Sequence, residues 1–186
     1  SESADSSFVY ETPLIERGTV ILGGNNQYGG ITYLDGGPVR PGVNSNNSRA
    51  FGDSVITVTN ENHLLGGSSG SGAQLLNDIN LSAGGTLHTE GTLGLGGNIY
   101  GAGNLAVTSG TLSLFGNNYY TGSGALSVAS GATLRTLNAN RISDTSPVEV
   151  DGTVSLGGAE TIGDLSGGGT IANNGHDLTV NQSSDR

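Results

Sequence analysis

Leu105-Ala106-Val107-Thr108-Ser109-Gly110-Thr111-Leu112-Ser113-Leu114 decides the fold. Apolar residues alternate on both sides of a turn that ends in glycine: Leu105 and Val107 before it, Leu112 and Leu114 after it. Alternation places them on one face of an extended strand, because successive strand side chains point to opposite sides. No segment of the chain keeps an apolar stripe at helical spacing, and glycines interrupt every long window, so helix is not expected. Strands this short do not stand alone and must find neighbours.

The unit recurs. Gly18-Thr19-Val20-Ile21-Leu22, Gly91-Thr92-Leu93-Gly94-Leu95, Gly110-Thr111-Leu112-Ser113-Leu114 and Gly152-Thr153-Val154-Ser155-Leu156 share it, with a looser copy at Gly131-Ala132-Thr133-Leu134. A short strand precedes each later copy: Leu87-His88-Thr89, Leu105-Ala106-Val107, Leu126-Ser127-Val128 and Val148-Glu149-Val150. The starts of these strands lie 18, 21 and 22 residues apart. Each period therefore reads as strand, short turn, strand, then a longer Gly/Asn stretch.

A period near 20 suits one coil of two or three strands, each pairing with its equivalent one coil away at about 4.8 Å. The expected fold is all-β, a parallel β-helix (solenoid) of roughly eight to nine coils, about 40 Å long at that rung spacing. An antiparallel sandwich or barrel also shows short strands at close intervals and is the competing architecture. Residues 1–13 are expected to form a polar lead-in or cap, and residues 14–186 one array, with a loop excursion at about 35–52. A match at a shift of 92 residues lays Gly18–Tyr28 on Gly110–Tyr120, Ser54 on Ser146 and Val58 on Val150, which suggests duplicated modules of several coils.

Composition agrees with a thin core. Of 186 residues 34 are Gly, and apolar residues make up 33%, too few for a thick globular interior. Leu stacked on Leu, coil after coil, needs only one or two apolar residues per side. The net charge is −10 and all six basic residues are Arg, so nucleic acid and anionic membrane are poor partners. Cys is absent, which excludes disulfides, iron–sulfur clusters and cysteine zinc sites. No apolar run is long enough to form a transmembrane helix.

The run Gly103-Asn104-Leu105-Ala106-Val107-Thr108-Ser109-Gly110-Thr111-Leu112-Ser113-Leu114-Phe115-Gly116-Asn117-Asn118-Tyr119-Tyr120-Thr121-Gly122 resembles the passenger-associated transport repeat of autotransporters. That repeat reads G-x-L-x-K-x-G-x-G-T-L-x-L-x-G-x-N-x-Y-T-G. Gly18 to Gly30 looks like a second copy, and Ser146 to Ile171 looks like the glycine-rich coils of related passengers. The family's Lys is missing, with Thr108 near its place, and Gln27 and Gly29 break the first Tyr-Thr-Gly. The resemblance implies a right-handed β-helix, secreted through the periplasm by the type V route and displayed on the bacterial outer membrane. It also implies a C-terminal translocator barrel in the full-length protein and a role in passenger folding and export. It carries no catalytic residues to transfer.

The expected function is accordingly a non-enzymatic stalk or adhesin, with no cofactor or metal. Expected partners are a host-cell or matrix receptor, or self-association through the β-helix faces. Alternatives are a polysaccharide-active β-helix enzyme and part of a toxin or host-signalling passenger. The segment Gly36–Ser48 holds two prolines and no alternation, so it reads as a loop leaving the stack, and loops on rigid scaffolds often carry binding. Val39, Arg40, Asn44, Asn46, Asn47 and Arg49 are the candidate partner-binding residues. For a lyase or hydrolase the candidates are Glu149, Asp151 and Arg135, which would have to share a face.

Other motifs read as structural. Gly66-Gly67-Ser68-Ser69-Gly70 matches the nucleophile elbow but no helix follows it. Gly101-Ala102-Gly103-Asn104-Leu105-Ala106 matches a dinucleotide fingerprint but opens a strand. Asp35, Asp151 and Asp164 sit beside glycines, off the nine-residue period of a calcium β-roll. His63, His88 and His176 lie far apart in sequence without ligand spacing, and His88 should point outward. Tyr28, Tyr100, Tyr119 and Tyr120 follow Asn-rich turns and are expected to pack at corners.

Overall fold

A computed structural model describes residues 20–22, 27, 29–41, 50–66, 73–115 and 124–183. Among them every regular element is a strand. The first ten are β1 (Val20–Leu22), β2 (Ile31–Leu34), β3 (Gly37–Pro41), β4 (Val55–Val58), β5 (Glu61–Leu65), β6 (Ala73–Leu75), β7 (Ile79–Leu81), β8 (Thr86–Glu90), β9 (Thr92–Leu95) and β10 (Ile99–Gly101). The rest are β11 (Asn104–Val107), β12 (Thr111–Leu114), β13 (Leu126–Val128), β14 (Thr133–Thr136), β15 (Val148–Val150), β16 (Thr153–Ser155), β17 (Glu160–Ile162), β18 (Leu165–Ser166), β19 (Thr170–Ala172) and β20 (Leu178–Val180).

The chain visits three faces in turn. The first holds β2, β4, β7 and β10, and later the pair β17 and β20 at the same place in the coil. The second holds β1, β3, β5, β8, β11, β13, β15 and β18; the third holds β6, β9, β12, β14, β16 and β19. All pairings are parallel and join strands of successive coils. The result is a parallel β-solenoid, as the repeat predicts.

Like residues stack on like. Leu87, Leu105, Leu126, Val148 and Leu165 form one column on the second face. Leu93, Leu112, Leu134, Val154 and Ile171 form another on the third. Ile56, Ile79 and Ile99 serve the first. Except for the terminal Leu165 and Ile171, which are half-buried, these side chains are almost fully withdrawn from water and form one continuous core. Gly110 shows why glycine marks the turn between the second and third faces. Its φ is 73°, a region that side chains disfavour, and a Cβ there would sit 2.3 Å from the Gly91 carbonyl oxygen one coil away.

Three expectations change. Among the described residues six coils, against the eight to nine expected, carry strands on both the second and third faces. A uniform period of 20 overcounts, because the register steps 25 residues from Val39 to Leu64 and 25 more to Thr89. Second, the loop excursion at 35–52 is too wide: Gly37–Pro41 is a strand that pairs with β1 and β5. Val39 turns into the core, 8% exposed, and the two prolines flanking Val39–Arg40 hide that short signal in the sequence. Third, the 92-residue match is not a match of equivalent positions. Val20 lies on the second face and Leu112 on the third; Val58 lies on the first and Val150 on the second. Strand-turn-strand units resemble one another locally, so the alignment slips by one face.

Buried polar groups bind coils together. Asn77 Nδ2 donates to the carbonyls of Gly52 at 3.0 Å and Ser54 at 2.9 Å, one coil earlier. Glu160, 2% exposed, accepts from the backbone N–H groups of Arg141 and Ile142 at 2.9 and 3.2 Å through Oε2, and so shapes the turn where no first-face strand forms. Burial raises the Glu160 pKa above its ordinary 4.5, and the Arg141 and Ile142 N–H groups, the Thr136 hydroxyl and the Arg141 charge oppose that shift only in part. A raised folded-state pKa favours folding below the unfolded value and loses that contribution as pH rises through the folded value. The urea midpoint is therefore expected to fall as pH climbs from about 4.5 toward neutrality, and Glu160→Gln should flatten that slope. An unchanged slope in Glu160→Gln would assign the pH dependence elsewhere.

Candidate functional surfaces

The coil register brings together residues far apart in sequence. On the second face His63 and His88 are direct partners, with ring centroids 4.7 Å apart and planes within 15°. His63 Nδ1 lies 2.6 Å from Glu90 Oε1 and, in the tautomer protonated there, donates to it. Burial first, then His63, lower the His88 pKa below its ordinary value; Glu61 and Glu90 pull the other way. His88 Nδ1 is buried and has no hydrogen-bond partner. His88 does face outward, as alternation predicts, but its stacked partner half-buries it. The rings stand side by side rather than converging on a point, and among the described residues no group of three or more His, Asp or Glu could hold a metal ion.

The third face differs. Its outward positions form a threonine ladder, Thr92, Thr111, Thr133, Thr153 and Thr170. Beside it run Gln74, Gly94, Ser113 and Arg135 on successive coils. Phe115 follows β12, and its ring lies over Gly94 and Gly96: Cβ atoms placed at those glycines would approach it to 2.7 and 2.6 Å. Leu76 and Leu137 flank the ring and are 40% and 44% exposed. The depression so formed is shallow and open, lined by Gln74, Thr92, Ser113, Phe115 and Leu137. Among the described residues, the strands of this face carry no Asp or Glu and a single charge, Arg135.

The residues singled out in the sequence are placed as follows. Val39 is core and Arg40 lies in β3, which corrects their assignment to a binding loop; Asn44, Asn46, Asn47 and Arg49 fall outside the described residues. Glu149 projects from the second face and Arg135 from the third, so the lyase candidates are not assembled on one face. Asp35 accepts from Thr59 and Asn60, Asp151 from Gly168 N, and Asp164 from Ser183 N and its hydroxyl. Each of these carboxylates thus ties its own coil to the next. Tyr100 lies within β10 rather than at a corner, whereas Tyr28, Tyr119 and Tyr120 fall outside the described residues. Gly67 to Gly70 of the elbow motif also fall outside them. Gly103 is spaced for packing rather than for a phosphate: its Cβ would lie 2.4 Å from the Ser82 carbonyl oxygen.

The histidine pair and the Phe115 platform both escape sequence reading. Their members sit 25 and 19–21 residues apart, and only the coil register shows them adjacent. No protein-family model, curated protein or solved structure matches the chain.

Proposed function

We propose that this chain is a non-enzymatic rod segment of an autotransporter passenger, a stalk or adhesin displayed on the bacterial surface. The observation that carries the reading is the stack itself. The described part of the repeat-like run Gly103–Gly122, residues 103–115, supplies one second-face and one third-face strand of a single coil. Later coils repeat that arrangement in β13 with β14 and β15 with β16. Such an array grows by adding coils, each held mainly by its neighbours, and a rod of this kind holds its faces and ends away from an anchor. Its outer faces are chemically distinct, which suits recognition along the side of the rod. The lyase alternative loses its support with the separation of Glu149 from Arg135.

The test is display. The full-length reading frame, expressed in its own host, should encode a downstream translocator barrel. Intact cells should bind antibody raised against residues 124–183, and external protease should remove the signal. A reading frame without a barrel, or an epitope reached only after lysis, would overturn the assignment.

A further inference from the structure

The third face carries a feature that a stalk does not need. The half-buried Phe115 ring covers two glycines and lines the open depression, so an apolar plate is built into a face of hydroxyls and amides. Gly94 and Gly96 make this possible, because any side chain there would lift the ring. Along one side of the plate the coil register spaces Gln74, Ser113 and Arg135 over three rungs, about 14 Å. Apolar plate and polar edge together match a pyranose, which has a C–H face and a hydroxyl rim.

Charge narrows the ligand. The chain has 16 acidic residues against six Arg, yet the strands of this face hold Arg135 alone among the described residues. On these strands an anion meets one cation and no carboxylate. A purely apolar peptide would cover the plate but leave Gln74, Ser113 and Arg135 without partners. A second copy of the chain would bring one body of net charge −10 against another.

We propose that the third face binds an acidic saccharide, stacked on Phe115 and paired through a carboxylate with Arg135. The proposal goes beyond display: a folded chain that failed to bind would leave the surface-labelling result untouched.

Oligogalacturonate, its methyl-esterified neutral form and an apolar peptide are the probes, added to the labelled full chain and followed by NMR. Oligogalacturonate should shift the amides of Thr92, Ser113, Thr133, Arg135 and Leu137 and leave β5 and β8 unmoved. Phe115→Ala should weaken binding about tenfold. Arg135→Gln should bring the acidic and neutral forms to equal affinity and abolish the salt dependence. Gly94→Ala, which displaces the ring while leaving the polar edge in place, should weaken both sugars. Circular dichroism checks that each variant is folded. No shift at millimolar sugar, shifts confined to another face, preference for the apolar peptide, or concentration-dependent self-association through these same residues would each overturn the proposal.

Discussion

Gly97→Ala is expected to lose about 3 kcal/mol or more of stability, because the new methyl has nowhere to go. A Cβ at this position would sit 2.0 Å from the Asn77 carbonyl oxygen and 2.8 Å from the Asp78 nitrogen. Both are backbone atoms, so no rotamer change relieves the contact. Asn77 cannot retreat either, since its amide is bonded to Gly52 and Ser54 on the coil beyond. Relief requires prising two coils apart. For a chain of this size the thermal midpoint should fall by roughly 6–12 °C. Gly168→Ala is the matched control. Its Cβ would have no atom within 4 Å and its φ is not positive, so it should be neutral or stabilising by up to about 1 kcal/mol. Equal melting temperatures for the two variants would contradict the close approach of these coils.

Leu112→Ala is expected to cost about 3 kcal/mol, the ordinary loss for a leucine truncated in a packed core. Leu112 is 1% exposed and lies between Leu93 and Leu134 in the third-face column. Truncation leaves a void open to two neighbouring rungs rather than one. The same change at Leu178, which is half-buried in the terminal strand β20, should cost clearly less. Hydrogen exchange locates the damage: in Leu112→Ala protection should fall first in β9, β12 and β14, because each coil depends on its nearest neighbours. Equal losses at Leu112 and Leu178, measured by urea unfolding, would mean that the core is not graded from middle to end.

The second and third faces are legible in the sequence because two periods coincide there. Leu105 and Val107 alternate within a strand, and Leu87, Leu105, Leu126 and Val148 recur once per coil and prove to be register partners. The first face is not legible. Ile79-Asn80-Leu81 offers a single alternation set among Asn, Asp and Gly, and it becomes a strand only because β4 and β10 bracket it. Val39 is lost to the eye between prolines for the same reason.

Surface chemistry is less legible still, since it depends on which residues become lateral neighbours. His63 and His88 are 25 residues apart on coils of unequal length, so a period of 20 does not align them. Phe115 gives no sign in the sequence that Gly94 and Gly96 lie beneath it. The shift of 92 shows the converse hazard: local likeness between strand-turn-strand units is strong enough to align residues that the fold places on different faces.

Backbone nuclear Overhauser contacts in the deuterated full chain test the parallel solenoid most directly. Residues Thr111–Leu114 should show inter-strand backbone contacts to Thr92–Leu95 on one side and to Thr133–Thr136 on the other, in the register Leu112 with Leu93 and Leu134. Backbone contacts between Asn104–Val107 and Thr111–Leu114, the hairpin that an antiparallel sandwich would make of the same residues, would contradict it.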